Sequence, residues 1–146
     1  MSVFSTDQSE RSAVSHSHDC HTARFTTIWP DETVGIITVQ GELDASNAIA
    51  FADHVDACAR VGDRLVLDLS PLSFFGTAGF SALHTINVRC ANASARWVMV
   101  TGDAVSRLLR VCDPDHTLPV ADSVREAVEL LDGEPRRLLQ LVPEPS

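Results

Sequence analysis

The residues able to do chemistry in this 146-residue chain are few, and they fall into three groups. His16, His18, Asp19, Cys20 and His21 cluster near the N-terminus and are of the types that ligate a borderline or soft metal ion. A metal site needs ordered ligands and a second shell, and the polar stretch around them offers neither, so they read as a solvated arm and no metal is expected. Cys58, Cys90 and Cys112 each fall on the apolar stripe of a different helix-like segment. They read as small hydrophobes in packing, with a redox-sensitive pair between neighbouring helices as the alternative. The third group is the small-residue turn Phe75-Gly76-Thr77-Ala78-Gly79, which follows an apolar run and opens a helix. Backbone N–H groups at such a turn suit an anion or a partner's acceptor.

What is missing excludes more. All 11 basic residues are arginine, so Schiff-base lysines and the phosphate-binding lysines of P-loop and kinase sites are ruled out. The glycine turn matches neither a dinucleotide fingerprint nor a Walker pattern, and there is no G-x-S-x-G elbow or H-E-x-x-H pair. No acid/base constellation emerges, and the chain does not read as an enzyme.

The elements that position these residues alternate. Residues 24–29 alternate weakly, Pro30-Asp31-Glu32 forms a turn, and residues 34–39 are a β-branched run; the two strands are expected to pair as a hairpin. A helix follows over 45–60, with Ala48, Phe51, Val55 and Cys58 at helical spacing and Gly62 closing it. Next come a strand at 65–69 and a helix over 77–93 carrying Phe80, Leu83, Ile86 and Cys90 on one face. A strand at 97–101, a helix at 104–112, a short strand at 117–120 and a helix capped by Asp122 or Ser123 complete the chain to Leu131. The expected order is β-β-α-β-α-β-α-β-α: an α/β fold with a mostly parallel central sheet, an antiparallel edge strand and about four helices. It is a single domain over 23–132. Residues 1–22 are expected to be a disordered arm and 133–146 a Pro-rich tail.

Charge narrows the partners. With 20 acidic residues against 11 basic ones the net charge is −9, a sign that repels nucleic acid and anionic lipid. No hydrophobic leader or apolar run of membrane length is evident, so a cytoplasmic location is expected. The acidity is uneven: residues 77–94 hold no acidic residue and only one arginine, Arg89. Small uncharged positions along that helix, among them Thr77, Ser81, Thr85 and Asn92, would let another protein approach closely.

Gly41-Glu42-Leu43-Asp44 at a strand-to-helix junction, then Leu67-Asp68-Leu69-Ser70, then Phe74 to Phe80, resembles the STAS domain in order and spacing. More specifically it is similar to the bacterial anti-sigma factor antagonists, over about residues 24–132. The resemblance implies a non-catalytic, cofactor-free module that binds an anti-sigma factor, usually a serine kinase, and so releases a sigma factor. It places the partner-binding surface at Asp44, Phe75, Gly76, Thr77, Ala78, Gly79 and Ser81. In the family the kinase phosphorylates a serine in an Asp-Ser-Ser-Gly turn; added negative charge there would break docking by repulsion and desolvation. Here Gly76 stands at the aspartate, Thr77 at the first serine and Ala78 at the phosphoacceptor. Three readings follow: a module constitutively competent to bind, Thr77 as substitute acceptor, or a fold retained outside this pathway. A small-ligand or nucleotide sensor and a redox-responsive regulator are the alternatives in function. A monomer or weak dimer is expected.

Overall fold

The computed structural model describes residues 14–141. Seven strands and four helices follow in the order β1 Val14–Cys20, β2 Ala23–Trp29, β3 Val34–Leu43, α1 Ala48–Ala59, β4 Arg64–Asp68, β5 Leu72–Phe75, α2 Thr77–Asn92, β6 Arg96–Val100, α3 Gly102–Cys112, β7 Val120–Ala121 and α4 Val124–Leu141. The strands form one mixed sheet in the order β1-β2-β3-β4-β6-β7, and β5 pairs with the far end of β3. The β1–β2 and β2–β3 pairs are antiparallel; every pair from β3 onward is parallel.

Burial explains which strands were legible as apolar runs. Leu65, Val66 and Leu67 of β4 are all fully buried, as parallel strands covered on both faces must be. On one side Leu65, Leu67, Trp97 and Met99 meet α1, α2 and α3 together with Phe25, Ile37 and Val39. On the other, Val66, Val98, Val100 and Ala121 pack against Ala127 and Leu131 of α4. That last helix starts with a reciprocal cap: the Glu126 N–H donates to Ser123 Oγ, and the Asp122 N–H donates to Glu126 Oε1.

The structure corrects several expectations. Val14–Cys20 is a strand, hydrogen-bonded along its length to β2, where an arm had been expected through residue 22; residues 1–13 lie outside the described residues. The segment at 24–29 is consequently an inner strand, and β1 takes the edge. Main-chain pairing with β2 suffices to order a polar strand that has no hydrophobic signature of its own. The 72–75 segment, given no element in the expected order, is a strand. Helix α1 starts at Ala48 instead of 45, because residues 44–47 form a separate hydrogen-bonded turn. The final helix continues to Leu141 through the expected stop at Gly133, which a helix tolerates at a cost of about 1 kcal/mol relative to alanine. Residues 142–146 of the expected tail lie outside the described residues. Gly62 has a steric role near the end of α1: a Cβ there would lie 2.6 Å from the Trp29 ring.

Gly41 is the tightest point of the β3 pairing. It has φ +96°, the β3–β5 register shifts beside it, and a Cβ would overlap the carbonyl oxygen of Thr22. That carbonyl accepts the Glu42 N–H at 3.1 Å. Gly41→Ala therefore combines left-handed strain with a backbone clash, and a loss of at least about 2 kcal/mol is expected in urea unfolding. A midpoint within experimental error of wild type would show that the turn relaxes freely.

Candidate functional site

Strand alternation decides which phenylalanine faces outward. β5 pairs with β3 through Glu42↔Phe74 and Leu43↔Phe75, and the Gly76 N–H donates to the Leu43 carbonyl at 3.1 Å. Phe75 is turned into the core at 5% exposure, and Phe74 faces outward at 49%. Gly76, in extended backbone, is the N-cap residue of α2, and Thr77 is its first helical residue. One turn on, Gly79 lies under the Phe75 ring, where a Cβ would approach Cε1 to 2.5 Å. Phe75 and Gly79, both expected at the docking surface, are thus buried supports of the turn rather than contacts offered by it.

The remaining residues are displayed. Thr77 and Ser81 are exposed and Ala78 is half-buried. Thr77 could have been an N-cap, but no side chain caps α2, and its hydroxyl makes no hydrogen bond among the described residues. Ala78 and Ser81 line a groove of about 520 Å³ between α1 and α2, whose other wall includes Ala45, Ile49 and Ala52. Ile49 on its rim is 75% exposed, a large apolar residue that helical spacing alone left unremarked. Arg89, the one charged side chain among the described residues that line the groove, is paired with Asp53 at 2.9 Å.

The Asp44 loop borders this groove. Asp44 does not cap α1 through its side chain; its Oδ1 accepts the Ser46 hydroxyl at 2.6 Å and the Ser46 N–H at 2.9 Å. These two bonds, the hydroxyl first, hold its carboxyl below the usual aspartate range, against a smaller opposing effect of desolvation. Because the folded value lies below the unfolded one, the stabilisation is present at neutral pH and is lost as the pH falls through the lowered value. The side chain that sequence reasoning missed is Asn47, 1% exposed. Its Nδ2 donates to the carbonyls of Cys20 at 3.2 Å and Glu42 at 3.0 Å, and its Oδ1 accepts the Asp44 N–H at 3.0 Å. One buried amide thereby ties the end of β1, the end of β3 and the loop before α1 together. An asparagine beside the apolar start of a helix was the available signal.

The other candidate residues are not brought together at this surface. Cys58 and Cys90 are buried free thiols in the core, and Cys112 is free and half-buried. Burial pushes the Cys58 thiol upward; burial first, and then Asp56, pushes Cys90 up to about 11. Both shifts oppose thiolate formation, on which thiol reactivity depends. Of the N-terminal cluster, Asp19 pairs with Arg24 at 2.7 Å, while the His18 ring lies 5.9 Å from that of Phe25. Among the described residues no three His, Cys, Asp or Glu side chains converge to hold a metal ion. Likewise no described helix is long and apolar enough to cross a membrane.

Fold and surface together define an α/β domain that presents a turn, a loop and a helix face. The STAS domain family profile matches residues 30–127, and the chain belongs to that family. It is 34% identical over 113 residues to Osmosensory protein A of Mycobacterium tuberculosis, a match spanning 74% of this chain and 72% of that protein. To the Anti-sigma-F factor antagonist RsfA of the same organism it is 29% identical over 106 residues, covering 70% of this chain and 83% of that one. The crystal structure of an anti-sigma factor antagonist from Mycobacterium paratuberculosis superimposes with a TM-score of 0.60 at 23% identity, covering 81% and 92% of the two chains.

Asn47→Ala removes three hydrogen bonds, taking a buried donor from the Cys20 carbonyl and the acceptor from the Asp44 N–H while the Glu42 carbonyl keeps the Thr22 hydroxyl, so a destabilisation of about 2–3 kcal/mol is expected in urea unfolding. A loss below 1 kcal/mol would mean that water replaces the amide at no appreciable cost.

Proposed function

We propose that this protein is an anti-sigma factor antagonist, a non-catalytic module that binds an anti-sigma factor and so relieves inhibition of a sigma factor in the bacterial cytoplasm. The carrying observation is the surface at the start of α2. Thr77, Ala78 and Ser81 are displayed beside the Asp44 loop and an apolar groove, on a helix without acidic residues in a chain of net charge −9. Relatives whose names state this role support the reading. Asp44, Gly76, Thr77, Ala78 and Ser81 form the contact surface, Phe75 and Gly79 hold it in place from beneath, and Ile49 extends it.

The partner is an anti-sigma factor of the serine-kinase type. At the position where the family resemblance puts the phosphoacceptor serine, this chain offers the methyl group of Ala78, so on this reading docking is not switched off there and control lies elsewhere, in the amount of protein made. Thr77 is the second possibility, favoured by one specific feature: its hydroxyl is exposed and unbonded at the first position of the helix.

The test is binding to kinase-type anti-sigma factors of the source genome by titration calorimetry, with and without ATP. Wild type is expected to bind at least one of them and to keep binding after incubation with ATP. Ala78→Asp and Ile49→Asp are each expected to weaken binding at least tenfold, while Ala78→Ser becomes phosphorylated and loses affinity. Failure of the wild type to bind any of them would overturn the reading. Phosphate mapped to Thr77 in wild type, with loss of binding, would replace the constitutive form by the Thr77 switch.

A further inference from the structure

On the other side of the α2 N-terminus, β5 and α3 enclose a separate cavity of about 300 Å³ lined by Ser73, Phe74, Phe75, Ala104, Arg107 and Leu108. Its apolar surface does not stop at the cavity. Ala104, Leu108 and Val111 recur at helical spacing along α3; the first two line the cavity, and Val111, beyond its lining, is 79% exposed. Phe74 and Val111 are large apolar groups turned to solvent, while Ala104 and Leu108 are partly buried against the core, and an open apolar pocket with an exposed aromatic on its wall is a mark of a docking surface.

The charge beside this row has a definite sign. Arg24, Arg60, Arg64, Arg89 and Arg125 are each paired with a carboxylate, as expected in a chain where acidic residues outnumber basic ones 20 to 11. Arg107 and Arg110, both exposed on α3, make no ion pair among the described residues. Asp103, one turn before Arg107, is not paired with it either. Two free guanidinium groups flanking an apolar row complement carboxylates supplied from outside.

We propose that the α3–β5 face is a second docking surface, which takes an acidic peptide segment of another protein with one apolar or aromatic side chain seated in the cavity between Phe74 and Leu108. The inference is independent of the groove between α1 and α2, since the two surfaces share no lining residue. The peptide's anchor fills the pocket, and its flanking Asp or Glu side chains meet Arg107 and Arg110 in forked hydrogen bonds. Central aromatic or aliphatic anchors with a charged rim are the arrangement that concentrates binding energy at peptide sites.

The probe is a random dodecapeptide phage library selected on the intact chain, with synthetic versions of the recovered peptides measured by fluorescence anisotropy. The expected peptides hold Asp or Glu around one Phe, Trp, Leu or Ile. Their affinity is expected to fall at least tenfold in the Arg107→Glu/Arg110→Glu variant and severalfold between 50 and 500 mM salt. It should fall in Phe74→Ala and stay within twofold of wild type in Ile49→Asp. Circular dichroism confirms that the arginine variant, altered only at exposed positions, remains folded. Peptides without acidic enrichment, or affinities indifferent to the two arginines, overturn the proposal. So does concentration-dependent dimerisation of wild type that the arginine variant abolishes, because a second copy would then be the occupant.

Discussion

Phe75 and Gly79 are four residues apart, and the contact between them decides where the residues around them point. The ring occupies the space in which any side chain at position 79 would stand. Seating it there fixes β5 against Leu43 of β3, and strand alternation then turns Phe74 outward. It also starts α2 at Thr77, since the Gly76 N–H is already committed to the Leu43 carbonyl. Once those positions are set, the 3.6-residue repeat sends Ala78, Ser81 and Thr85 toward α1, and Ala82, Leu83 and Ile86 into the core. The residues that meet a partner on the reading proposed above are thus aimed by two residues that are themselves buried.

Asn47 performs the matching task on the other wall of the groove. Its amide is buried with both the N–H groups and the carbonyl oxygen engaged, which makes burial of so polar a group tolerable. Losing one partner would leave others unsatisfied, so the three chain segments it joins are held as a unit. The Asp44 loop inherits that rigidity, and its carboxylate is spent on Ser46. Among the described residues the one charged side chain lining the groove is Arg89, which is paired with Asp53. An apolar floor between two braced walls loses little conformational freedom on binding, and such preorganisation favours affinity more than area does.

How much of this could be read from the residues depended on whether a local pattern carried the information. β4 and β6 were legible because burial on both faces makes them continuous apolar runs, and α2 because Leu83, Ile86 and Cys90 repeat at helical spacing. β1 was not legible: Ser17, His18 and Asp19 have the composition of a solvated arm, and pairing with β2 makes them a strand. β5 is four residues long and lies between Pro71 and Gly76, so its two aromatic residues looked like part of a turn. Which of the two adjacent phenylalanines faces the core depends on pairing with Glu42 and Leu43, far away in sequence. Asn47 has no periodic signature, since its partners at residues 20, 42 and 44 come together only through the fold.

On the reading proposed above, in which Ala78 stands where a phosphoacceptor serine would, this geometry gives that alanine a physical meaning. A helix N-terminus favours negative charge, so nothing in the α2 dipole opposes a phosphate there. The groove does oppose one. Position 78 is half-buried on a floor of alanines, where a doubly charged group would have no cation except Arg89, already engaged by Asp53. A side chain that carries a switch must therefore disturb an apolar contact surface each time it is charged, and must place a polar hydroxyl in that surface when it is not. Alanine removes both costs: the methyl continues the floor of Ala45, Ala48, Ala52 and Ala82, and the surface has a single state. On that reading position 78 itself carries no switch, and a signal acts on the protein's abundance, on Thr77 at the exposed edge of the same turn, or through contacts made elsewhere on the domain.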